Sequence, residues 1–106
     1  MEEDRLSQVR KNRNSTSMCS NPDEYGVDLN RNYDYKFGFD DEGSKPQPCA
    51  EDYRGEFAFS ELETQAVRDF VGGHSGNIKL ALNFHAWGDL WIMPYNYDAN
   101  RENLHL

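Results

Sequence analysis

The aliphatic residues of this chain are crowded into its second half. Residues 1–50 hold only Leu6, Val9, Val27 and Leu29 from the Ile/Leu/Val set, whereas residues 51–106 hold ten, from Leu62 to Leu106. Burial of apolar surface is the main term that offsets chain entropy. Four aliphatics and some aromatics cannot supply it over fifty residues, so the first half must fold over something else or stay loose. The uneven distribution marks the chain as a piece of a larger domain: a loop-rich part over 1–59 and a helix-strand-strand part over 60–106.

The charge balance narrows the partners. The chain has 106 residues, enough for one modest domain, with 37% hydrophobic residues and a formal net charge of -8. Its mean hydropathy is -0.95 and its pI about 4.7. Such an acidic chain is a poor match for nucleic acid or an anionic membrane surface, both of which call for basic patches. No apolar run reaches bilayer-spanning length, so no membrane insertion is expected. Met1-Glu2-Glu3-Asp4 lacks the basic start and apolar stretch of a signal peptide.

In the second half, Ser60-Glu61-Leu62-Glu63 reads as a capping box. Leu62, Ala66 and Phe70 form a stripe that Val67 and Val71 widen, and Gly72-Gly73 supplies a stop. A helix is predicted over 60–71. "IKLALNF" alternates apolar and polar positions and predicts a strand over 78–84. "LWIMPY", 90–95, predicts a second short strand, held to an edge by Pro94. A helix followed by strands implies an α/β sheet with packed helices. Residues 14–59 read as loop, with one short strand near Val27.

Several residues carry chemistry. His85 directly follows a predicted buried strand, the place where open α/β sheets bind ligands. It is a candidate metal ligand or base, or a hydrogen-bonded histidine at a strand end. Within "GVDLNRNYDYKFG", 26–38, Asn30-Arg31 suits capture of a carboxylate, because a guanidinium fork matches its two oxygens. "RKNRN", 10–14, is a basic knot in an acidic chain. Arg5, Arg10 and Lys11 read as surface charge set against Glu2, Glu3 and Asp4, while Arg13 could join Arg31 and His85 around an anion. Cys19 and Cys49 are free thiols by default in a cytosolic chain. If bonded, they would stabilise a polar loop by roughly 3 kcal/mol and imply an oxidising compartment. Asn14-Ser15-Thr16 is a glycosylation acceptor pattern. Asp40, Asp41 and Glu42 could offer oxygens to calcium, but without the spacing of an EF-hand loop.

In order and wording, "RKNRN" (10–14), "GVDLNRNYDYKFG" (26–38), "PCAEDYRGEFAFSELETQAV" (48–67) and "LALNFHAWGDLWIMPYNY" (80–97) resemble the zinc metallocarboxypeptidases of the A/B type. The resemblance covers about 10–97. It implies one α/β domain, a mixed sheet with helices packed on it, of which this chain holds an incomplete part. It implies one zinc ion per complete domain and hydrolysis of the C-terminal peptide bond of peptides and proteins by a zinc-activated water. On this resemblance His85 matches the last zinc ligand, and Asn30 and Arg31 match the pair that binds the terminal carboxylate. Arg13 matches the arginine that steadies the oxyanion, and Ala86 and Trp87 lie where residues upstream of the cut are contacted. Cys19 and Cys49 sit where many members carry a disulfide. The implied parent is a secreted monomer.

The chain departs from the pattern in three places. No His is followed three residues later by Glu, so the motif that supplies the family's first two zinc ligands is missing. The general-base Glu and a substrate-capping Tyr are expected beyond Leu106. "DRLSQV" lacks the aromatic residue expected there. The expectation is a polypeptide that by itself neither binds zinc tightly nor cleaves peptides. The alternative is part of a deacylase-like relative, or of a pseudo-enzyme kept as a binding domain.

Overall fold

In the computed structural model, residues 9–15, 19–86, 88–92, 94, 97 and 98 are described. Among the described residues the regular elements are two short 3-10 turns, Pro22–Glu24 and Leu29–Arg31, and one α-helix, Leu62–His74, here α1.

Three separate stretches of backbone meet at its centre. The amide of Asn12 donates to Val27 O at 3.0 Å, and that of Asp28 donates to Tyr53 O at 2.8 Å. Val27 and Tyr53 are buried with Cys19, and these are the apolar residues buried among those described. Beside them lie buried Lys11, Asp28, Asn32, Glu61 and Thr64. The interior is therefore mainly polar, as a first half with four aliphatics requires. Each buried polar group must then find partners or bear a desolvation cost.

Asn32 shows how they do so. Its side chain is 0% exposed. Its Nδ2 lies within donating distance of Arg54 O (2.8 Å), Phe57 O (3.1 Å) and Ser60 Oγ (2.9 Å). Its Oδ1 accepts from the backbone N of Glu61 (3.2 Å) and from Thr64 Oγ1 (2.7 Å). One amide thus ties the 3-10 turn to the 54–60 loop and to the start of α1. Two glycines make room for such close approaches. A Cβ on Gly55, where φ is +89°, would come within 2.6 Å of Asn32 Nδ2. A Cβ on Gly26, where φ is +98°, would lie 1.7 Å from Asn12 O. Both positions also need a backbone conformation that only glycine adopts without strain.

Lys11 is a further polar strut, and here the structure corrects the expectation of surface charge. It is buried, and its Nζ donates to Glu24 O (2.5 Å), Pro48 O (2.9 Å) and Ala50 O (2.9 Å). An ammonium has three N–H groups and no acceptor, so three carbonyls satisfy it. Burial lowers its pKa from the ordinary lysine value, and nearby Glu24, Asp28 and Asp52 counter only part of that shift. Two of these carbonyls flank Cys49, and Cys19 and Cys49 are joined in a disulfide with Cα atoms 5.4 Å apart. The free-thiol alternative is thereby set aside.

The helix forms where its periodicity predicts, with both ends shifted. No capping box forms. Ser60 Oγ instead accepts from Asn32 and donates to Glu61 Oε1 at 2.8 Å, and Glu61 is an N-cap without a side-chain capping bond. Tertiary bonds to a buried amide have displaced the local ones. At the other end α1 runs through Gly72-Gly73 to His74. The glycine pair costs helix propensity, about 1 kcal/mol each, but a permissive residue need not end a helix. His74 Nδ1 donates to Phe70 O at 2.8 Å, which suits a helix C-terminus.

The expected mixed sheet is not present among the described residues, where the only pairing is an isolated parallel bridge between Lys45 and Tyr53. The stretch predicted as strand over 78–84 forms no ladder. Neither do the described residues of 90–95, while 93 and 95 lie outside them. A strand is stable only when neighbours take up its N–H and C=O groups, and none is in place here. Leu80, Leu82, Phe84, Leu90, Trp91 and Ile92 are exposed, Phe84 at 90%. The apolar stripe of α1 is also uncovered: Leu62, Val67, Phe70 and Val71 all face solvent. No helix among the described residues is long and apolar enough to cross a membrane.

Candidate functional site

Asn30 and Arg31 lie on the second 3-10 turn, whose N-cap is Asp28. Asp28 Oδ1 accepts from the backbone N of Asn30 at 3.1 Å, the short side-chain-to-backbone bond that makes Asp a good cap. The cap fixes the turn and presents Asn30, exposed, beside Arg31, half-buried. Asp28 itself is buried at 2% exposure. Its Oδ2 accepts from Arg10 Nε at 2.8 Å and lies 3.7 Å from Arg31 Nε. The longer distance is an ion pair without a hydrogen bond, and Arg31 Nε is a buried donor without a hydrogen-bond partner. Arg10 is therefore a structural counter-ion of Asp28, not a generic surface charge.

Arg13 is exposed. Its flanking residues are held tightly. Asn12 Nδ2 and Asn14 Nδ2 both donate to Glu61 Oε2, at 2.7 and 2.9 Å. Asn12 Oδ1 accepts from the backbone N of Val27 at 2.8 Å. Glu61 is 4% exposed. Burial works against its ionised form, but the hydrogen bonds from Asn12, Asn14 and Ser60 together outweigh it and hold its carboxyl below the ordinary glutamate range. The glycosylation pattern at Asn14 meets the same network. Its amide nitrogen, the atom a glycan would need, is engaged with Glu61, and Thr16 of that pattern lies outside the described residues.

His85 and Ala86 are exposed, and Trp87 lies outside the described residues. Zinc requires at least three protein ligands. Among the described residues the one group of three potential ligands that could share an ion is Cys19, Glu24 and Cys49. Two of its members are already spent on the disulfide. His85 has no such companions, so the described residues do not form a zinc site around it. Nor do Asp40, Asp41 and Glu42 form a calcium site. Asp41 instead pairs with Arg54 Nη1 at 2.9 Å, and Asp40 Oδ1 accepts from the backbone N of Glu42 at 3.1 Å.

Sequence alone assigns no role to Asp28, Asn32, Glu61 or the side chain of Asn12, and it reads Lys11 only as surface charge. They organise the site through bonds such as that from Asn12 to Glu61, 49 positions away, and no local periodicity encodes such pairs. Among the described residues, Gly26 and Gly55 are where a Cβ would clash, and these glycines signal the close backbone approach.

The family model for zinc carboxypeptidase matches residues 1–105. The chain is similar to carboxypeptidase A1 of Mus musculus, 43% identical over 92 residues, which is 85% of this chain and 20% of that protein. It is similar to a zinc carboxypeptidase of Simulium vittatum, 34% identical over 102 residues, 96% of this chain and 31% of that protein. It is also similar to carboxypeptidase B of Bos taurus, 42% identical over 73 residues, 69% of this chain and 17% of that protein. Among solved structures, bovine thrombin-activatable fibrinolysis inhibitor in complex with tick carboxypeptidase inhibitor superposes with a TM-score of 0.72 at 32% identity. That match covers 86% of this chain and 29% of the other. The chain thus spans about a fifth of the length of the carboxypeptidase A1 it matches.

Proposed function

Because the chain belongs to the zinc carboxypeptidase family, we propose that it forms the substrate-holding part of a zinc-dependent peptidase that removes C-terminal residues from peptides. The observation that carries this reading is the Asp28-capped turn. It sets an amide and a guanidinium side by side over a buried carboxylate that anchors them. An exopeptidase must recognise a free terminal carboxylate, and a fork donor next to a neutral amide does so with orientation as well as charge. In this reading Asn30 and Arg31 hold the terminal carboxylate. Arg13 donates to the oxygen of the scissile carbonyl as negative charge grows there. Trp87 contacts residues upstream of the cut.

Zinc, when bound in a complete domain, supplies an acidified water. His85 is the one family ligand matched here. The residues present do not complete the metal site, so the 106-residue polypeptide on its own holds substrate without cutting it. Formation of the Cys19–Cys49 bond favours an oxidising, extracellular setting.

The reading is tested by exchanging the matched 92 residues of mouse carboxypeptidase A1 for those of this chain. The zinc-loaded exchange protein should cleave an N-blocked peptide with a free C-terminus and spare its C-terminal amide. Arg31→Ala should raise KM roughly tenfold or more, since a hydrogen bond to a charged group is worth about 1.5–3 kcal/mol. Equal cleavage of acid and amide, or an unmoved KM in a folded variant, would refute it. Hydrolysis by the isolated 106-residue chain would refute its expected inactivity.

A further inference from the structure

We propose that Glu61 is the positioning residue of Arg13, gripping the side chains on either side of it so that the guanidinium faces outward to substrate. This rests on the reading of Arg13 as the group that meets the scissile carbonyl.

Three observations support it. First, the two asparagines flanking Arg13 converge on one oxygen, Glu61 Oε2, at 2.7 and 2.9 Å. An Asn side chain is short, so both backbones must face Glu61. In non-helical chain the intervening side chain then leaves on the other side. Arg13 is indeed exposed while Asn12 and Asn14 are half-buried.

Second, Glu61 is itself immobilised from every direction. Its Oε1 accepts from Ser60 Oγ, its backbone N donates to Asn32 Oδ1, and its carbonyl accepts from Thr64 Oγ1 and from the backbone N of Gln65. A clamp can orient its load only if it is rigid, and this one sits at the N-cap of α1.

Third, the clamp is costly by construction. Glu61 is a nearly buried carboxylate that makes no ion pair among the described residues and is held by neutral donors alone. A well-packed apolar residue would be cheaper for stability alone. What the carboxylate offers that an apolar residue could not is two acceptor positions with fixed direction.

The experiment uses the 15N-labelled 106-residue chain and its Glu61→Ala, Glu61→Gln and Asn14→Ala variants. Backbone order at Arg13 is read by NMR relaxation, with Val27 and Tyr53 as internal controls. The chain is then titrated with N-acetyl-alanyl-alanine and with its C-terminal amide while the Arg13 Nε–Hε resonance is followed. The order parameter of Arg13 should fall from about 0.85 to below about 0.6 in Asn14→Ala and Glu61→Ala. Asn14→Ala should leave Val27 and Tyr53 rigid. Glu61→Gln should restore most of the order, because one carboxamide oxygen can still accept from both asparagines. Unchanged order at Arg13 in both loss variants would overturn the proposal, as would an equal loss at Val27 and Tyr53 in Asn14→Ala. If the dipeptide moves neither Arg13 nor Arg31 in the unsubstituted chain, the substrate reading falls, and the order measurement still decides the positioning.

Discussion

Replacing Asn32 is the sharpest test of a core held by hydrogen bonds. In Asn32→Ala the backbone N of Glu61 loses its acceptor. Arg54 O and Ser60 Oγ lose a donor. Two partners are less affected: Thr64 Oγ1 can turn to Glu61 O, 2.9 Å away, and Phe57 O still accepts from the backbone N of Ser60. One buried donor and one backbone acceptor are thus left unmet, at about 1–3 kcal/mol each, for a loss of roughly 2–6 kcal/mol. A domain of this size has only about 5–15 kcal/mol in total. Asn32→Asp separates hydrogen bonding from shape. It is isosteric and keeps Oδ1, but it puts a second charged oxygen where Nδ2 faced two carbonyls and a hydroxyl. It should therefore destabilise more than alanine does. Urea unfolding of the chain and both variants at pH 7, followed by far-UV circular dichroism, gives the comparison. A loss under about 0.5 kcal/mol for alanine, the scale of an ordinary surface substitution, would refute the reasoning. So would an aspartate variant more stable than the alanine one.

Three other outcomes follow from the same geometry. Reducing the Cys19–Cys49 bond, which spans 30 positions, should cost about 3–4 kcal/mol in the chain-entropy model, read as a shift of the urea midpoint with and without reductant. Glu61 has a carboxyl pKa below its ordinary value. Its contribution is therefore fully present above the unfolded value of about 4.3 and is lost as pH falls through the folded one. Acid titration of the parent should show a loss of stability below about pH 4 that Glu61→Gln lacks, and parallel curves would contradict this. Gly26→Ala should prevent the native fold, because its Cβ would lie 1.7 Å from Asn12 O; native-like amide dispersion in that variant would contradict the packing.

What is legible in the sequence is short-range. The 3.6-residue spacing of Leu62, Ala66 and Phe70 locates α1, and the scarcity of aliphatics over residues 1–50 forecasts a loop-rich, weakly apolar half. The cap and stop signals around Ser60 and Gly72 are local devices, and tertiary bonds from Asn32 override the first. Lys11 looks like surface charge because sequence shows its charge and not the three carbonyls that meet it. The alternation over 78–84 describes a surface suited to a sheet, but a strand exists only through partners, and none pairs with it among the described residues. Of the site, the Asn30-Arg31 pair and the two cysteines stand out in the sequence. The carboxylates that organise it, Asp28 and Glu61, do not, since each also binds partners far off along the chain, Arg10 for Asp28 and Asn12 and Asn14 for Glu61.

The mainly polar interior has a thermal consequence. The heat capacity of unfolding rises with newly wetted hydrocarbon and falls with newly wetted polar surface. With Val27, Tyr53 and Cys19 as the buried apolar residues among those described, this body should melt with a heat capacity increment below the usual ~12–15 cal/mol/K per residue. Its stability curve should therefore be unusually flat, changing little between a refrigerator and body temperature.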